Sequence, residues 1–151
     1  MALFKFIHLL AVLIWVGGMF FAYVVLRKAT AEALDPSQRL RLWAAVLRLF
    51  FNWVWAAVGV ILITGFYLIY LYGGIAHVSR YVHVMLALGL VMMVIHGYMF
   101  FTHYVPFSLH VDKRRWKEAG EPLGAIRQLL AVSLALGLLT VGAALIGIAR
   151  M

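Results

Sequence analysis

Residues 49–79 read LFFNWVWAAVGVILITGFYLIYLYGGIAHVS, a run between Arg48 and Arg80 that contains no Asp, Glu, Lys or Arg. About 20 apolar residues carry a helix across ~30 Å of hydrocarbon, so this stretch is longer than a membrane span requires. Three more charge-free gaps lie on either side of it, from Lys5 to Arg27, from Arg80 to Asp112 and from Arg127 to Arg150. Each is also long enough to cross. The expected fold is all-α, an integral membrane four-helix transmembrane bundle in one domain over residues 1–151, with spans near 4–26, 44–73, 80–105 and 126–149.

Composition agrees with that reading. Of the 151 residues 66% are hydrophobic, and the mean hydropathy is +1.02, well above what a water-soluble domain hides in its core. The first apolar run is too long for a signal-peptide core and ends in Val25-Leu26-Arg27-Lys28, without the small residues that a signal peptidase cuts, so it is expected to stay in the chain. Asp35-Pro36 reads as an N-cap followed by proline at the first helical position, starting a second helix that runs toward Gly73-Gly74 and is the longest. Pro106 is expected to end the third. Ser133 with Gly137, Ala143 with Gly147, and Gly17-Gly18 are small-residue notches of the kind that let helices approach closely in lipid.

The net charge of +8 resembles that of a nucleic-acid binder, but the bases sit between apolar runs, where membrane topology explains them; no nucleic acid is expected as a partner. Arg27, Lys28, Arg39, Arg41, Arg48, Lys113, Arg114, Arg115, Lys117 and Arg127 fall on one side, against Lys5, Arg80 and Arg150 on the other. The positive-inside rule then puts both termini in the periplasm of a bacterial inner-membrane protein, with lipid as its first partner. All five acids, Glu32, Asp35, Asp112, Glu118 and Glu121, fall in the basic loops. That argues against a carboxylate proton relay and against hydrolysis by paired acids.

With no cysteine, metal chemistry is restricted to His, Met, Tyr or backbone ligands. Ionisable groups inside a membrane are costly and are functional by default, which makes the six histidines the first suspects. His8 and His83 each lie about two turns into a helix that starts on the outer side, so they share a depth. His77, in the short outer loop, reaches the same level, where Tyr67, Tyr70 and Tyr72 also end. Converging imidazoles with phenols nearby suit copper or haem iron better than zinc. The plainer alternative is that His8 and His83 merely hydrogen-bond a neighbour and His77 is solvated.

Trp15 and Met19 share a face with His8, deeper in the bilayer, where Trp15 packs or relays. His96 points elsewhere. It belongs to a stripe of Met92, His96, Met99 and His103 at i, i+4, i+7 and i+11, a thioether and imidazole set suited to Cu(I), although Met is also an ordinary filler of apolar gaps.

At His8, Trp15-Val16-Gly17-Gly18-Met19-Phe20-Phe21 and Tyr81-Val82-His83 the chain resembles the small four-span members of the CopD copper-resistance family and the related HemJ-type protoporphyrinogen oxidases. The first resemblance implies an inner-membrane protein tied to copper; the second implies haem b between helices and electron transfer to a membrane acceptor. Both imply that His8 and His83 are ligands. Met85 stands where the HemJ pattern has a lysine, so porphyrinogen oxidation does not carry over. CopD proper is an eight-span protein, and transport does not carry over directly either.

The leading expectation is a membrane oxidoreductase whose copper, or haem b, is bound by His8 and His83, with His77, Trp15, Tyr67 and Tyr70 around it. It would exchange electrons between a small periplasmic reductant or oxygen species and the quinone pool. The alternatives are copper transport or handling along the Met–His stripe, and a structural or assembly subunit. A homo-oligomer is compatible with all three.

Overall fold

A computed structural model describes residues 1–149 as four long helices joined by short connections, with no strand among the described residues. They are α1 (Ala2–Ala33), α2 (Pro36–Leu71), α3 (Arg80–Asp112) and α4 (Trp116–Ala149). All four are apolar and long enough to cross a membrane. Arg150, counted above with the outer charges, lies outside the described residues.

At 36 residues α2 is the longest, and it begins as its sequence predicts: Asp35 is the N-cap, Pro36 opens the helix, and the Asp35 backbone N–H donates to Gln38 Oε1 at 3.3 Å. Gly73 and Gly74, both at φ near +90°, turn the chain out of α2 into the loop that carries His77. The helices run past the expected spans into the basic loops, because the flanking polar residues keep helical geometry outside the apolar stretch.

Pro106 does not end α3, which continues to Asp112. A proline inside an α-helix lacks its N–H and collides with the carbonyl four residues back. Residues Met99–Tyr104, which end two positions before it, are π-helical, and the wider i→i+5 spacing takes that carbonyl out of the α register. A matching π-helical stretch, Phe21–Leu26, interrupts α1.

Packing pairs α1 with α2 and α3 with α4, and α1 also packs on α4. The buried residues recur three and four apart: Leu40, Trp43, Leu47, Phe51, Val54 and Val58 on α2, and Ala119, Leu123, Ile126 and Leu130 on α4. This is the seam pattern of helices crossing at about 20°. Only 17–28% of each apolar window is buried inside the bundle, so most of the apolar side chains face outward, as lipid-facing residues do.

The core is lopsided. Buried side chains are dense from the middle of the bundle to its basic-loop end, whereas at the terminal end α1 and α2 bury only Ala11 and Thr64, and α3 buries nothing before Met92. Close approach happens where the notches allow it. A Cβ on Gly137 of α4 would lie 2.9 Å from Val16 of α1 and 3.3 Å from the Met92 methyl of α3, and one on Gly18 would lie 3.1 Å from Phe50.

Candidate metal centre

The three histidines nearest the terminal end share a hydrogen-bonding habit. His77 Nδ1 lies 2.8 Å from the Gly73 carbonyl, and His83 Nδ1 lies 3.3 Å from the Ser79 carbonyl. A carbonyl only accepts, so in both rings Nδ1 carries a proton, and in the neutral ring the lone pair is on Nε2. His8 Nδ1 lies 2.8 Å from Thr64 Oγ1, whose single proton is committed to the Val60 carbonyl at 2.6 Å. Thr64 therefore accepts from Nδ1–H, and His8 is the same tautomer. Each ring is oriented through its Nδ1, as a metal-binding imidazole normally is.

Gly65 makes room for His8, since a Cβ there would sit 3.2 Å from His8 Cε1. The rings nevertheless stand on different pairs of helices. His8 leans on α2, while His83 is exposed and tied to its own helix, and no group of three or more His, Asp or Glu close enough to share a metal occurs among the described residues. Tyr67 stacks on Phe4 at 4.5 Å, Tyr70 is 76% exposed, and Lys5 lies over the Tyr72 ring at 5.4 Å.

The deepest polar side chain is His96, 1% exposed, with neither ring nitrogen hydrogen-bonded. The rings of Phe51 and Trp55 lie 5.0 Å from it, Trp15 stands edge-on at 5.8 Å and Phe50 at 6.4 Å. Trp15 thus belongs to the surroundings of His96, two turns below His8. Met92 and Met99, one turn either side of His96, are buried, and so is Met19, one turn beyond Trp15. Ser133 completes the layer: α4 is antiparallel to α3, so Ser133 stands one turn from Gly137 as His96 stands one turn from Met92. Its hydroxyl and Trp15 Nε1 are also buried without partners.

Of the stripe read from the sequence, Met92, His96 and Met99 form one buried row and His103 leaves it. The π-helical stretch turns less per residue than an α-helix, and His103 falls behind to meet Tyr98 at 5.3 Å. Asn52 is exposed, and the α2 wall at this depth is Phe51 and Trp55. Where the buried Met19 and Ser133 fall relative to the row depends on helix register across the bundle, for which a single sequence carries no local signal.

Comparison with family models gives a match to "Copper resistance protein D" (CopD) over residues 44–146, which takes in α3 with His83, Met92, His96 and Met99 and leaves out His8 and Met19. No curated protein and no solved structure matches the chain. With the match running through most of α2 and on into α4, the chain belongs to the CopD family.

Proposed function

We propose that the protein handles copper within the membrane and holds Cu(I) at His96 with the thioethers of Met92, Met99 and Met19. The observation that carries this reading is a buried imidazole with both nitrogens unpartnered, on a helix face whose adjoining turns carry the buried Met92 and Met99. A buried polar group left without a partner costs about 1–3 kcal/mol, and a metal bond to the ring lone pair offsets that cost. The surroundings select the ion: thioether and imidazole are ligands for soft Cu(I), whereas Zn is disfavoured without thiolate or carboxylate. Four aromatic rings surround the imidazole and keep water from it.

In this reading His8, His83 and His77 capture copper at the terminal end through their free Nε2 atoms, and the ion then moves inward. The charge bias supports a periplasmic terminal end, which an active periplasmic reporter fused to the C-terminus checks. A second reading keeps a redox role, with copper or haem b at His8 and His83 and electrons passing to quinone. It is favoured by Trp15, an aromatic relay two turns below His8 and edge-on to His96.

Anaerobic titration of purified protein against a Cu(I) chelator tests the proposal. Wild type is expected to take up Cu(I), and Met92→Leu with Met99→Leu to weaken binding by more than the roughly 10- to 100-fold that loss of a supporting group costs. Unchanged affinity in the double variant rejects the core site. A Soret band in the purified protein turns the assignment to the redox reading.

A further inference from the structure

A second unpartnered polar cluster lies at the opposite end of the bundle from the outer histidines. Three helices each bring one arginine to it: Arg27 from α1, Arg39 from α2 and Arg127 from α4, near enough for Arg27 and Arg39 to act electrostatically on Arg127. All three are half-buried. The Nε atoms of Arg39 and Arg127 are buried with no hydrogen-bond partner, and no carboxylate pairs with any of the three among the described residues. Arg39 Nη2 reaches only the Leu34 carbonyl, at 3.5 Å.

The cluster is built on a rigid floor. Arg127 stacks on Trp43 at 5.1 Å, and the fully buried Trp43 donates Nε1–H to Thr30 Oγ1 at 3.3 Å, tying α2 to α1 beneath the guanidinium groups. Arg27 rests on the Tyr23 ring at 4.6 Å. Stacking fixes the planes of two guanidiniums and leaves their N–H edges free.

Three like charges held together in a partly dehydrated place repel one another, and burying Nε–H groups unpartnered adds to the cost. Both penalties disappear when an anion sits among them. The planar fork of arginine matches phosphate oxygens two at a time, which a lysine cluster would not do. Arg27 and Arg127 also border charge-free runs, so they stand at the edge of the hydrocarbon, where lipid phosphates lie.

We infer that Arg27, Arg39 and Arg127 form a binding site for the phosphate of an anionic phospholipid headgroup. The site is independent of copper, and it locks α1, α2 and α4 together at their basic end.

Thermal unfolding of delipidated full-length protein in detergent, with dioleoylphosphatidylglycerol, dioleoylphosphatidylcholine or inorganic phosphate added, tests the inference. The comparison is made within each variant, so a lower starting Tm does not affect it. The anionic lipid is expected to raise the wild-type Tm by about 5 °C, and the zwitterionic lipid and inorganic phosphate to leave it unchanged. Arg39→Gln and Arg127→Gln are expected to lose that increment, and Lys113→Gln, which removes a charge from the other basic loop, to keep it. Equal shifts with both lipids overturn the site, as do full retention in Arg39→Gln and Arg127→Gln or equal loss in Lys113→Gln. A full shift with inorganic phosphate overturns the lipid as its ligand.

Discussion

His96→Leu raises the melting temperature of the purified protein while lowering its affinity for Cu(I) at least about 100-fold: this is the expected result of exchanging a ligand for a hydrocarbon of similar volume. The gain in stability follows from the two ring nitrogens that find no partner. An unsatisfied buried group costs about 1–3 kcal/mol, and leucine removes it without opening a cavity. In a chain of this size each kcal/mol moves Tm by about 2–4 °C, so the variant melts several degrees higher in the absence of copper. Added Cu(I) stabilises wild type by mass action and does nothing for the variant, so the two melting curves converge or cross as copper is added. A variant that melts lower than wild type without copper, and still responds to Cu(I), shows the imidazole to be satisfied by something other than the metal.

The second large effect is steric. Gly137→Leu is expected to destabilise the bundle by about 3 kcal/mol or more, because α1, α3 and α4 meet at this residue. Its first added atom alone would lie 2.9 Å from Val16 and 3.3 Å from Met92, and Met92 is itself buried, with no empty side to retreat into. Gly142→Leu, where a Cβ meets nothing within 4 Å, is the matched control and is expected to cost almost nothing. Thermal melts of the two variants in one detergent decide the matter, and equal losses would place the helix contact elsewhere. Gly137→Leu also pushes on Met92, so its copper affinity falls along with its stability.

How far the chain could be read in advance depended on the range of the forces involved. The four spans follow from where Asp, Glu, Lys and Arg are missing, and the start of α2 follows from the adjacent Asp35 and Pro36. The row of Met92, His96 and Met99 was legible for the same reason: it depends on α-helical periodicity alone. Periodicity also marks the limit of that reading. The π-helical stretch at Met99–Tyr104 carries no local signature, so it was not foreseen that α3 would continue through Pro106 or that His103 would leave the row.

The histidines of the terminal end rest on a different kind of inference. Depth along a helix can be counted in residues, which puts His8 and His83 at comparable depth, whereas lateral position is decided by which helices pair, and for that the sequence carries no local signal. Trp15 illustrates the point: the sequence places it on the same helix face as His8, and its ring contact is with His96 on another helix.

The uneven distribution of buried side chains also grades the bundle's resistance to opening. Segments with few buried apolar contacts open locally at a free energy far below that of global unfolding. The terminal half, where α1 and α2 bury little beyond Ala11 and Thr64, is therefore the compliant half, and the half held by Trp43, Phe51, Phe107 and Leu130 is the stiff one. His96 lies on the boundary between them. A particle moving from the terminal end toward His96 need only part side chains that are already loosely held, and it meets closed packing once it arrives. For the proposed copper path, the terminal side of the imidazole is therefore the side on which packing is easier to part.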